Sequence, residues 1–195
     1  MYNLEIPGWM SKPELQTIEK WARLVPKNGS IVEVGSFLGR SSICWALSAD
    51  PSVTVYCLDT YDAVTTKYTH THTGDASLDN NYPPSGLALT IEAFEANTQH
   101  IKNIVPMVVP LKVKDYSETI KNLTPNLVFL DAGHKNPSDM DMIRFWLKRI
   151  QKGGILCGHD YLNEKYPHVT SNVGSLRLVL GIEPEIHYSL WMFRV

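Results

Sequence analysis

Only three cysteines occur in the 195 residues: Cys44, Cys57 and Cys157. Each lies inside an apolar segment. Their spacing fits neither a zinc motif nor a disulfide framework, so they read as buried free thiols. Long apolar runs are missing as well: none approaches the ~20 residues that cross a bilayer. The N-terminal stretch lacks the basic start and apolar centre of a secretion signal. These absences predict a cytoplasmic protein with no membrane partner. Nor does one sign of charge dominate. The net charge is −2, so no broad basic field exists to attract nucleic acid. Repeats and low-complexity tracts are also lacking.

What is present is an ordinary globular mixture, 44% hydrophobic and 19% charged. The length suits one domain, residues 1–195, with chain enough for a sizeable core. Residues 11–25 predict an amphipathic helix. Ser11 and Glu14 form a capping box, and Leu15, Ile18, Trp21, Ala22 and Val25 share one face. Residues 30–34, 40–49 and 53–58 read as strand, helix and strand, a βαβ unit that implies a parallel sheet. Further helices are expected at 88–101, 116–123, 137–151 and 169–180. Further strands are expected at 105–112, 126–130 and 155–157, with two more in the tail. The pattern predicts a Rossmann-like, doubly wound α/β fold: a mostly parallel seven-stranded sheet with an antiparallel C-terminal edge. Residues 60–86, rich in Thr, Asn, His, Tyr, Pro and Gly, read as a lid or acceptor loop. Within it Tyr61, Tyr68, His70, His72 and Tyr82 either line a polar, sugar-like or phenolic pocket or are simply solvated.

In such a sheet, ligands bind beyond the carboxyl ends of the strands. The first strand runs into Glu33-Val34-Gly35-Ser36-Phe37-Leu38-Gly39-Arg40. Gly35 and Gly39 permit a tight turn and close backbone approach. Their spacing is not that of G-x-G-x-x-G, which weighs against NAD. Glu33 suits a cationic ligand, although a plain strand-to-helix turn would look the same. Asp59 ends the second strand, where a carboxylate can accept from ribose hydroxyls or merely form a turn. Asp115 either meets an adenine amino group, with Tyr116 beside the ring, or is a solvated loop acid. Asp131 and His134 follow the fourth strand, and His159 and Asp160 follow the fifth. Asp131, His159 and Asp160 are a donor set suited to a divalent cation. His134 is placed to take a proton from a substrate hydroxyl. Singly, each of these also fits a cap or turn former.

The chain resembles the class I S-adenosylmethionine (SAM)-dependent methyltransferases, and among them the macrocin-type small-molecule O-methyltransferases. The resemblance rests on IPGWMSKPEL, IVEVGSFLGRSS, VYCLDTYD, LVFLDAGHKNPSDM and KGGILCGHDY, in that order across residues 6–161. It implies that SAM binds at Glu33, Gly35, Ser36 and Gly39 on its methionine and ribose side. It also implies Asp59 on the ribose hydroxyls, with Asp115 and Tyr116 near adenine. A looser similarity links the chain to catechol-type O-methyltransferases. These hold magnesium with an Asp after the fourth strand and an Asp-Asn pair after the fifth, and use a lysine base. The matching positions here are Asp131, His159-Asp160 and His134. A histidine in place of an acid departs from that pattern and leaves open magnesium, another divalent cation or no metal. The expected activity is methyl transfer to a small hydroxylated acceptor, with Asp131 and His134 catalytic. A homo-oligomer is compatible with this reading. The competing readings are a non-catalytic SAM-binding or Rossmann-like interaction module, an NAD-dependent oxidoreductase, and a hydroxylase-like relative whose His/Asp cluster binds iron.

Overall fold

A computed structural model describes residues 3–62, 86–110, 112–132 and 138–195. Its first helix, α1 (Lys12–Ala22), begins at the expected capping box. Ser11 accepts from the Glu14 N–H, and the Glu14 carboxylate accepts from the Ser11 N–H. Then come β1 (Ser30–Val34), α2 (Arg40–Ser48), β2 (Thr54–Asp59), α3 (Ile91–Thr98) and β3 (Ile104–Val108). A 3-10 turn (Val113–Asp115) leads to α4 (Glu118–Lys121), β4 (Leu127–Leu130), α5 (Ser138–Leu147) and β5 (Ile155–Gly158). The chain finishes with α6 (Pro167–Leu180), β6 (Glu185–His187) and β7 (Leu190–Arg194).

Several elements are shorter than their patterns suggest, each for a local reason. Helix α3 starts only at Ile91 because Thr90 caps it, accepting from the Ala93 N–H. The helix expected over 116–123 contracts to the single turn of α4, because Ser117 takes the cap position and Tyr116 stays extended. Strand β3 ends at Val108, short of Pro110, which has no N–H to give a ladder. Helix α6 begins earlier than expected, at Pro167, a residue preorganised for a first turn.

The seven strands lie in the order β3-β2-β1-β4-β5-β7-β6. The first five are parallel; β7 runs antiparallel to β5, and β6 antiparallel to β7. This is the doubly wound sheet with an antiparallel edge that the sequence predicts. The central strands are buried on both faces. One face packs with α1 and α2, where Trp45 meets Phe129 at 5.4 Å between ring centroids. The other packs with α5 and α6 around Trp146. Each such large apolar side chain contributes about 1.5–3 kcal/mol through burial. Because β1 has β2 on one side and β4 on the other, the order in which strands are added reverses there and opens a crevice at the strand ends.

Candidate active site

The strand register assembles the site. Val34 pairs with Leu58 on one side and Leu130 on the other, and Leu130 pairs with Gly158. The next residue on each strand therefore falls on one rim: Asp59, Gly35, Asp131 and His159 in lateral order. Three non-glycine residues just past these strand ends adopt left-handed backbone: Phe37 (φ 48), Tyr61 (φ 49) and Asp160 (φ 60). Such conformations cost about 1–3 kcal/mol each and concentrate where a site needs its backbone aimed.

Gly35 has φ +95, and a Cβ there would lie 2.1 Å from the Asp131 carbonyl oxygen. The loop after β1 thus passes against the loop after β4, a closeness only glycine allows. Gly39, also at positive φ, is the N-cap of α2. Asp59 Oδ2 accepts from the Phe37 N–H at 2.9 Å, and Oδ1 accepts from the Thr60 and Tyr61 N–H groups at 2.7 and 3.3 Å. Asp59 therefore ties the glycine loop to the end of β2. Its two oxygens offer about four acceptor positions, so capacity for a further donor remains.

Glu33 is fully buried in β1. Burial pushes its carboxyl up to about 7, against the opposing pull of the neighbouring Ser41, Ser42 and Ser36 hydroxyls. Ser42 Oγ donates to Oε2, whereas Oε1 and the Ser36 hydroxyl have no partner. Unpaired buried polar atoms are costly.

On the far side of Gly35, Asp131, His159 and Asp160 present donor atoms within 4.8 Å of one another. His159 Nδ1 lies 3.3 Å from Asp131 Oδ1 and 4.0 Å from Asp160 Oδ2. Its Nε2 lies 3.1 Å from Glu14 Oε1. Burial opposes a charge on this imidazole, but Asp131, Glu14 and Asp160 together raise its pKa well above the ordinary value. Two carboxylates and an imidazole nitrogen are hard-to-borderline donors, and this set fits a divalent cation.

Two clefts flank this cluster. One opens between residues 7–10 and the glycine loop, with Ser36, Ser41 and Asp131 in its wall. The other lies between α5 and α6 and is walled by His159, Met142, Val169 and Trp191. Not every expected residue joins them. Asp115 is exposed in the 3-10 turn. Tyr116 is buried, its ring packed 5.3 Å from Phe145 and 6.4 Å from Trp146, which commits it to the core. His134, Tyr68, His70, His72 and Tyr82 lie outside the described residues.

Residues 32–161 match the methyltransferase domain family. The chain belongs to that family. SAM is the family's cofactor. Similar solved structures share the fold at low identity. The O-methyltransferase NovP superposes with a TM-score of 0.65 at 20% identity, covering 92% of this chain and 78% of that one. A methyltransferase from Geobacter sulfurreducens gives 0.62 at 14% identity, with 98% and 81% covered. An rRNA methylase from Streptococcus thermophilus gives 0.55 at 14% identity, with 96% and 98% covered. Comparison with curated protein sequences returns no significant match.

Two residues of this methyltransferase carry structural weight that the sequence reading missed. Arg40, 4% exposed, donates to the carbonyls of Ile6, Gly8 and Met10 at 2.6–3.0 Å, and to that of Leu4 at 3.2 Å. It straps residues 4–10 over the glycine loop, where Trp9 packs on Phe37 at 4.7 Å. The available signal was a cation at a helix N-terminus, where the macrodipole disfavours it. Glu14 was hidden because the capping box already explained it.

Proposed function

We propose that this methyltransferase transfers the methyl group of SAM to a hydroxyl oxygen of a small molecule, with residues 1–195 acting as one catalytic domain. The observation that supports this most is that Asp131, in the wall of one cleft, lies 3.3 Å from His159, in the wall of the other. SAM occupies the cleft beside Gly35, Ser36 and Gly39. Its ribose hydroxyls donate to Asp59, and its cationic methionine portion approaches Glu33. Asp115, exposed at the edge, is the candidate for the adenine amino group. The acceptor enters the mostly apolar cleft between α5 and α6, so that its hydroxyl reaches Asp131 and His159.

SAM is already an activated donor, so the protein mainly aligns the reactants. The acceptor oxygen attacks the methyl carbon, the carbon–sulfur bond breaks with its electrons on sulfur, and the hydroxyl proton leaves. His134, three positions after Asp131 in the sequence, is the proposed base for that proton. Asp131, His159 and Asp160 would hold a divalent cation, which when bound lowers the pKa of a neighbouring hydroxyl. Asp131 then both orients the acceptor and holds the ion.

The test is incubation with SAM and a panel of phenols and sugars, reading S-adenosylhomocysteine, with and without a chelator. Turnover that stops on chelation and returns with magnesium or manganese is the expected result. Full turnover under chelation would remove the cation and leave a metal-free orienting cluster. SAM binding without S-adenosylhomocysteine across the panel would favour a non-catalytic SAM-binding module.

A further inference from the structure

Beyond Asp131 and Asp160, the His159 ring has a third carboxylate, behind it, that methyl transfer itself does not call on. Glu14 is 6% exposed, and its Oε1 faces His159 Nε2 at 3.1 Å. The same oxygen accepts from Ser189 Oγ in the β6–β7 turn. Oε2 accepts from the Ser11 N–H and the Ser11 hydroxyl, each at 2.8 Å. A capping box needs only the bond from Glu14 back to the Ser11 N–H, which Oε2 supplies. Burial of the carboxylate, and three separate parts of the chain converging on it, exceed that need.

We propose that Glu14 is a positioning residue that fixes the His159 ring so that Nδ1 faces Asp131 and Asp160 as a ligand atom for a divalent cation. The inference rests on the cation reading of that cluster. A neutral imidazole offers a lone pair at one nitrogen only when the other carries the proton. A carboxylate behind Nε2 keeps the proton there, locks the ring against rotation and makes Nδ1 a better donor. The backing carboxylate is itself immobile, being the first-turn residue of α1 and pinned by Ser11 and Ser189. Through it, α1 and the β6–β7 turn set the orientation of a ligand on β5.

The experiment titrates Mn²⁺ into the metal-free full-length protein by calorimetry, and measures SAM affinity separately without metal. Wild type should bind Mn²⁺, and Asp131→Asn should abolish that binding. Glu14→Gln should weaken Mn²⁺ binding by about 10–100-fold, the usual effect of losing such a backing group, with SAM affinity unchanged. Ser189→Ala, which removes one of the bonds holding Oε1, should weaken Mn²⁺ binding in the same direction but less. No Mn²⁺ binding by wild type, or binding indifferent to Asp131→Asn, would sink the cation reading and this inference with it. Tight, Asp131-dependent binding that Glu14→Gln leaves intact would overturn the positioning role alone. So would a parallel loss of Mn²⁺ and SAM affinity in Glu14→Gln, which would mean that Glu14 only seats α1. Should Glu14→Gln fail to fold, Ser189→Ala decides: weakened Mn²⁺ binding supports the role, and unchanged binding overturns it.

Discussion

At position 35 the fold leaves no space for a side chain. Gly35→Ala would press a methyl group onto the Asp131 backbone in a left-handed conformation. The expected cost is about 3 kcal/mol or more, since backbone must move. Urea denaturation would read it, and a loss under about 1 kcal/mol would show that the two loops can separate freely. Asp59→Ala should weaken SAM binding by about 1–3 kcal/mol in calorimetry, because charge-assisted bonds go unmade. Unchanged affinity would remove Asp59 from the ribose site. Glu33 gives a pH signature. Its carboxyl titrates at about 7 in the fold, against 4.5 ordinarily. The native state therefore binds the extra proton between these values, so this contribution is full below about pH 4.5 and is lost as pH rises through 7. The loss amounts to at most about 3 kcal/mol. Glu33→Gln should flatten the decline, seen as a smaller stability difference between about pH 5 and about pH 8. An identical pH dependence in wild type and variant would mean that Glu33 is not the group responsible. At this scale the sequence was informative about which residues follow the strand ends, as at Gly35, Asp59, Asp131 and His159. It was silent on Glu14, because one local motif accounted for a residue whose second bond spans the whole chain. It gave no sign that Tyr116 packs against Phe145 and Trp146, because core and surface lie one residue apart at the end of a 3-10 turn.

Among the elements, the strap over residues 4–10 offers the clearest test. Arg40→Gln would strip most of the donors from four carbonyls and leave a buried gap. We expect a lower thermal midpoint and weaker SAM binding, with a cost of several kcal/mol from unmet backbone acceptors at about 1–3 kcal/mol each. If SAM affinity held while stability fell, the strap would be a scaffold only. Helices and strands were legible in kind because their apolar periods differ. Their ends were less so, since a single capping Thr90 or Ser117, or a Pro110, outweighs several residues of favourable pattern. The strap left no periodic trace at all, being held by one side chain rather than by its own sequence.

For the whole molecule, alternating strands and helices imply parallel crossovers, so the doubly wound sheet and its antiparallel edge could be read in advance, though not the order of its strands. The convergence of α1, β5 and the β6–β7 turn on His159 could not, because it joins residues far apart in the chain. The three cysteines allow that global structure to be timed. Burial pushes the Cys44 thiol up to about 12 and raises Cys57 and Cys157 well above the ordinary value, and all three are inaccessible. A thiol-alkylating reagent needs exposed thiolate, so at neutral pH it meets none in the folded chain. Labelling detected by mass spectrometry should then appear with three additions at once, at the rate of global opening, and slow when SAM is present. Stepwise addition to a single cysteine would instead expose a part of the sheet that opens on its own. The reduced thiols thus make an internal clock for unfolding, needing no introduced probe.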